Sequence, residues 1–282
     1  MLEFLAQQPA MAVAIAAVFG LLVGSFLNVV VHRLPIMMQR EWEAHAAEIQ
    51  GLPAPGHEPF DLIRPRSRCP HCGHAIGALE NIPVISWLAL RGRCKGCGNA
   101  ISARYPIVEL ITGVLAAAAI WFYGPTVAGA GALFLTFVLI ALTGIDLDTQ
   151  LLPDSLTLPL LWVGLFLNLW AVYVPLNEAV VGAIAGYLTL WSVYWLFKLV
   201  TGKEGMGYGD FKLLAALGAW FGWQSLPAII LLSSVVAAVI GLGMIVFARH
   251  GRQVPIAFGP YLAGAGLLTL YFGEMLRGLY LP

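Results

Sequence analysis

Apolar residues fall into eight long runs along the chain, near 9–31, 105–123, 127–145, 155–173, 178–200, 211–224, 226–248 and 256–276. A helix needs about 20 apolar residues to cross the roughly 30 Å hydrocarbon core of a bilayer. The pattern therefore predicts an all-α polytopic membrane protein with about eight transmembrane helices. The run at 211–224 is the short one. At about 1.5 Å rise per residue it reaches only about 21 Å, so it is expected to tilt or to stop part-way. No internal repeat or low-complexity tract accompanies the runs.

One long polar stretch, 32–104, interrupts them between the first and second. The expected division is a first transmembrane helix over 1–31, a polar loop domain over 32–104, and a seven-helix membrane domain over 105–282. Composition agrees with a membrane protein: 60% of residues are hydrophobic and 11% charged, against about 25% charged in soluble domains. Fifteen basic residues balance fifteen acidic ones, so nothing points to nucleic acid as a partner. Met1-Leu2-Glu3-Phe4 lacks a positive n-region, which favours a retained first helix over a cleaved signal peptide.

Basic residues favour the cytoplasmic side of a bilayer. Nine of the fifteen Lys and Arg lie between His32 and Arg104. With eight spans, the loops 32–104, 146–154, 201–210 and 249–255 share one side. Lys203, Arg249 and Arg252 add to its charge, and only Arg277 opposes it. That side is predicted to be cytoplasmic, with both termini facing outward.

All four cysteines lie in the polar loop, as Cys69-Pro70-His71-Cys72 and Cys94-Lys95-Gly96-Cys97. Paired C-x-x-C units read as a tetrahedral zinc site with four thiolate ligands, Cys69, Cys72, Cys94 and Cys97. Gly73 and Gly98 follow the second thiolate of each pair, where a left-handed backbone is easily tolerated. Two disulfides are the alternative, disfavoured in a reducing cytoplasm. His71 and His74 are substitute ligands, but four thiolates already fill the shell. A closed shell leaves no place for a water, so the zinc is expected to be structural. Residues 36–68, with Pro53, Pro55, His57, Pro59 and Pro65, read as an irregular connector.

Ionisable groups are costly near a bilayer and mark functional positions. Asp146, Asp148 and Asp154 cluster after the third run, and Asp210 precedes the sixth. In a continuing helix Asp146 and Asp148 lie about 200° apart, so only one can face the bundle. Asp154, after Pro153, reads as a helix N-cap. Asp210 follows Gly205, Gly207 and Gly209, and it too has the N-cap as its ordinary alternative. These glycines would let an extended peptide backbone approach, which makes Gly207 and Gly209 candidate substrate contacts. Lys212 is either a contact to a substrate carboxylate or a snorkelling interfacial lysine. Asn28 is positioned to bond across helices, and Glu109 sits one turn into the second run as a helix-start charge or a buried group.

Together these residues resemble the bacterial type IV prepilin peptidases. The resemblance rests on Gly24-Ser25-Phe26-Leu27-Asn28 through Arg33-Leu34-Pro35, the two cysteine pairs, and Ser102-Ala103-Arg104-Tyr105-Pro106 through Glu109. It continues with Asp146 through Leu152-Pro153-Asp154 and with Gly207-Tyr208-Gly209-Asp210-Phe211-Lys212. It implies an aspartic endopeptidase in the bacterial inner membrane, with Asp146 and Asp210 as the catalytic pair at the cytoplasmic boundary. The family spacing to Leu-Pro-Asp selects Asp146 over Asp148. The implied substrates are type IV prepilins and type II secretion pseudopilins, cut after a glycine that precedes their hydrophobic helix. A second implied activity is N-methylation of the new N-terminus by S-adenosylmethionine. No Rossmann-type glycine fingerprint is present, so no residue is assigned to that cofactor. The readings from other classes are a peptidase without methyl transfer, and a transporter or assembly scaffold carrying a zinc module.

Overall fold

A computed structural model describes residues 7–53, 56–247 and 257–280. Pro55, Arg249 and Arg252 lie outside the described residues. Each of the eight apolar runs forms a helix, and the described residues contain no strand beyond two isolated bridges. Five helical stretches are long and apolar enough to cross a membrane, including Trp223–Met244, and Asp154–Asn168 is a shorter apolar helix. The chain divides into two compact units, Met1–Gly129 and Ala130–Pro282.

In the first unit the main elements are α1 (Pro9–Ile49), a short α2 (Ile85–Ala89) and α3 (Arg104–Tyr123). Helices α1 and α3 approach closely because small residues meet: a Cβ added at Gly20 would fall 2.5 Å from that of Ala116. Such small-residue seams substitute for a hydrophobic driving force where the surroundings are themselves apolar. Asn28 crosses the seam as anticipated, its Nδ2 donating to the Tyr105 carbonyl at 3.2 Å.

Helix α1 does not end at residue 31. It runs through Pro35 to Ile49, which corrects the first half of the expected irregular connector. Residues 39–49 are rich in Glu and Ala, good helix formers, and Gln39 bonds Glu43 one turn on at 3.0 Å. The remainder of the connector is irregular but tied down. Buried Arg33 donates to the Asp61 and Pro65 carbonyls at 2.8 and 2.6 Å. Arg40 donates to the Glu58 carbonyl and lies over the Phe60 ring.

The second unit holds the rest of α4 (Val127–Thr149), then α5 (Asp154–Asn168), α6 (Leu176–Thr201), α7 (Tyr208–Phe221), α8 (Leu226–Phe247) and α9 (Gly259–Arg277). Its centre is α7, the helix of the short sixth run. All but three of its residues are buried, and α5, α6 and α9 pack around it. A helix buried on every side needs no lipid-facing stripe, which suits its mix of Leu, Ala and Gly. Gly182 of α6 meets the Gly218 carbonyl of α7, too close for any side chain. At the far end of α7, fully buried Asn168 donates to the Ala219 and Trp220 carbonyls and accepts from the amides of Tyr173 and Val174. It thereby satisfies carbonyls that the helix end would leave orphaned. Trp220 covers Gly164 and donates its indole N–H to the Leu160 carbonyl at 2.8 Å.

Candidate functional site

Two sites emerge, one in each unit. In the first, the Sγ atoms of Cys69, Cys72, Cys94 and Cys97 lie within 4.8 Å of one another. The pairs Cys69–Cys97 and Cys72–Cys94 are each 3.9 Å apart, and none of the four forms a disulfide. Thiolates at about 2.3 Å from a tetrahedral zinc would stand about 3.8 Å apart, so the cluster fits a four-coordinate metal.

The two halves are built alike. The Gly73 amide donates to the Cys69 carbonyl at 2.9 Å, and the Gly98 amide donates to the Cys94 carbonyl at 2.8 Å. Both glycines have φ of +73°, the left-handed turn expected from the sequence. Bridges Arg68–Ala75 and Arg93–Ala100 close each knuckle. The backbone amides of Cys72 and His71 hold the Cys69 thiol well below its usual range, which favours the thiolate that a metal needs. His74 is not in the cluster; its Nε2 pairs with Glu80 at 3.0 Å, and Lys95 joins the same carboxylate at 3.3 Å.

The module is secured to α3 by a residue that sequence reasoning left undecided. Glu109 is buried, and its Oε2 accepts the Val84 amide at 2.8 Å. Val84 has φ of +61°, a strained conformation for a β-branched residue. The bond to Glu109 helps to hold that turn, just where α2 begins.

The second site lies at the ends of three helices of the second unit. Asp146 sits in the last turn of α4 and Asp210 in the first turn of α7, both buried, whereas Asp148 is exposed. Asp146 Oδ2 accepts the Gly259 amide from the start of α9 at 2.9 Å. Asp210 Oδ1 is buried with no hydrogen-bond partner among the described residues. The Asp146 carboxylate is near enough to act electrostatically on Asp210. Asp146 and Asp210, sixty-four positions apart in sequence, thus stand within electrostatic reach of each other, one held by an amide and the other with a buried, unpartnered oxygen.

The N-cap alternatives do not hold. Gly207 caps α7, which leaves Asp210 inside the helix. Pro153 occupies the cap of α5, and Asp154 is its first helical residue without a side-chain cap bond. Proline's fixed φ suits a helix entrance, and Asp154 has another use for its charge. Its two oxygens take Lys212 Nζ at 2.6 and 2.7 Å, so Lys212 is held by an internal partner.

The two glycines of the motif differ. A Cβ at Gly207 would make only ordinary contact, 4.0 Å from Asp210 Oδ2. At Gly209 it would fall 2.6 Å from the Leu152 Cβ, so that space is already filled. Gly259 was missed by sequence reasoning. A Cβ there would lie 2.7 Å from Asp146 Oδ2. The available signal was Gly259-Pro260, a proline at the first turn of a helix; nothing local linked it to an acid 113 positions away.

Two family models match. Residues 18–123 match the bacterial peptidase A24 N-terminal domain, and residues 133–242 match the type IV leader peptidase family. The chain belongs to the type IV leader peptidase family. The two matches part between 123 and 133, as do the structural units at Gly129. A prepilin leader peptidase/N-methyltransferase of Stutzerimonas stutzeri is 58% identical over 99% of this chain and 97% of its own. Proteins of the same name from Aeromonas hydrophila and Pseudomonas aeruginosa are 56% and 54% identical, each over 100% of this chain and 98% and 97% of their own. No solved structure matches the chain.

Proposed function

We propose that this protein removes the leader peptide from type IV prepilins and type II secretion pseudopilins and then methylates the new N-terminus. The observation that carries the peptidase reading is that buried Asp146 and Asp210, at the ends of α4 and α7, lie within electrostatic reach of each other. Like charges held close share one proton, so one carboxylate is ionised and takes a proton from water while its protonated partner polarises the scissile carbonyl. The Gly259 amide on Asp146 Oδ2 fixes one member in place. The unpartnered Asp210 Oδ1 leaves an acceptor free for the water or the substrate. Hydrolysis is direct, with no acyl-enzyme. Family membership and the length of the match to proteins named for both activities support the bifunctional reading.

Cys69, Cys72, Cys94 and Cys97 would hold a structural zinc ion, whose bonds would cross-link a module too small to build its own core. S-adenosylmethionine is the methyl donor that the second activity needs, and no residue is assigned to it. The charge bias of residues 32–104 supports a cytoplasmic face for this module. An eight-span topology in the bacterial inner membrane would bring the loops 146–154 and 201–210 to one face, where a basic leader would reach them.

The test is cleavage of a prepilin-like substrate in membranes. Asp146→Asn and Asp210→Asn should each lower the rate by at least about a thousandfold at unchanged protein level, whereas Asp148→Asn should retain cleavage. Full activity in Asp146→Asn would refute the pairing. Transfer of a labelled methyl group to cleaved substrate tests the second activity.

A further inference from the structure

The segment Leu152-Pro153-Asp154 bears on helix α7 at two points that bracket Asp210. On one side Leu152 lies against Gly209, where an added Cβ would fall 2.6 Å from its own. On the other, Lys212 Nζ sits 2.6 and 2.7 Å from the Asp154 oxygens. The same leucine reaches the start of α9: its Cδ2 would lie 3.1 Å from a Cβ at Gly259, the residue whose amide holds Asp146. A strap that leaves the Asp146 helix is thus fastened to both other helix starts at the site.

Lys212 is two positions beyond Asp210, and on a helix their side chains diverge by about 200°. The Asp210 carboxyl is buried while the Lys212 side chain remains 28% exposed and its partner 55%. The ion pair therefore lies outside the acid pair yet grips the same helical turn.

We propose that the Asp154–Lys212 ion pair is a latch that sets Asp210 against Asp146, making both residues positioning residues for peptide cleavage. This rests on Asp146 and Asp210 being the reacting pair. A half-exposed ion pair adds little to global stability. A displacement of about 1 Å at a reacting group, by contrast, costs about a hundredfold in rate. The latch therefore acts on rate while leaving the fold nearly untouched.

The experiment uses the full-length protein in phosphatidylethanolamine/phosphatidylglycerol vesicles with a prepilin-like substrate. Lys212→Ala and Asp154→Ala should each lower kcat about tenfold to a hundredfold, with KM changed less than about twofold. Lys212→Arg and the exchanged pair Asp154→Lys/Lys212→Asp should recover at least about a third of the rate, the exchange being held back by a lysine at a helix N-terminus. A rise in KM at constant kcat would overturn the proposal, because Lys212 would then be binding substrate. Equal losses in the single and exchanged variants would overturn it too. An infrared titration of the Asp210 carboxyl, parent minus Asp210→Asn, should change in Lys212→Ala; an unchanged titration would refute the latch. That readout needs no turnover, so it still tests the latch if the parent fails to cleave prepilin and the functional reading falls.

Discussion

The four-cysteine module and the paired-acid site are assembled in opposite ways. Each knuckle of the module is complete within a few residues: two thiols, a left-handed glycine, and amides that close the turn locally. Only the pairing of two such units is long-range. At the acid site every essential relationship is long-range, from Asp146 to Gly259 and from Leu152 to Gly209. A local site should tolerate change in its surroundings but depend on whatever metal its thiols hold. A site made of three helix ends should depend on the close approach of backbones that carry no chemistry themselves.

The sharpest way to break that contrast is at Gly259. Gly259→Ala puts a methyl group 2.7 Å from Asp146 Oδ2, so the acid or the helix must shift. Cleavage should fall about a hundredfold with the cysteine module intact, as measured by initial rates and retained metal content. A variant with parental rates would show that the site has slack the geometry denies.

Metal removal probes the other side. A structural zinc in a small module contributes roughly 10–16 kcal/mol of folding free energy. A strong chelator should therefore expose residues 69–97 to protease over minutes to hours, and cleavage should decline no faster than the module opens. Immediate, reversible inhibition would make the metal part of the chemistry and collapse the distinction between the two sites.

The smallest effect is expected at Asp61. Its Oδ1 takes the Arg64 and Ile63 amides, each at 2.6 Å, and these bonds hold the carboxyl below its usual range, with the Arg64 and Arg33 charges adding to them. A depressed acid lends stability above its unfolded value, about 3.9, and loses it as pH falls through the folded value. Amide exchange at Ile63 and Arg64, corrected for intrinsic rates, should stay protected at about pH 5 and lose protection only below the ordinary aspartate range. Loss of protection well above it would mean that the turn is held by other contacts.

Apolar run length alone set out the eight long helices among the described residues, because a helix in an apolar medium must satisfy its own backbone whatever surrounds it. Cysteine spacing likewise announced the four-thiol cluster, since the geometry of each pair is dictated within its short turn. The extension of α1 to Ile49 was readable only in part, because helix propensity is weak beside Pro35 and the loop that Arg33 gathers from residues 61 and 65. What Asp154 and Lys212 do was decided by tertiary structure. A helix N-terminus and an interfacial lysine were complete local explanations for each, and nothing within either segment pointed to the other. The same holds for Gly259. Its role comes from lying against Asp146, and proximity across 113 residues is a property of packing that no local pattern encodes.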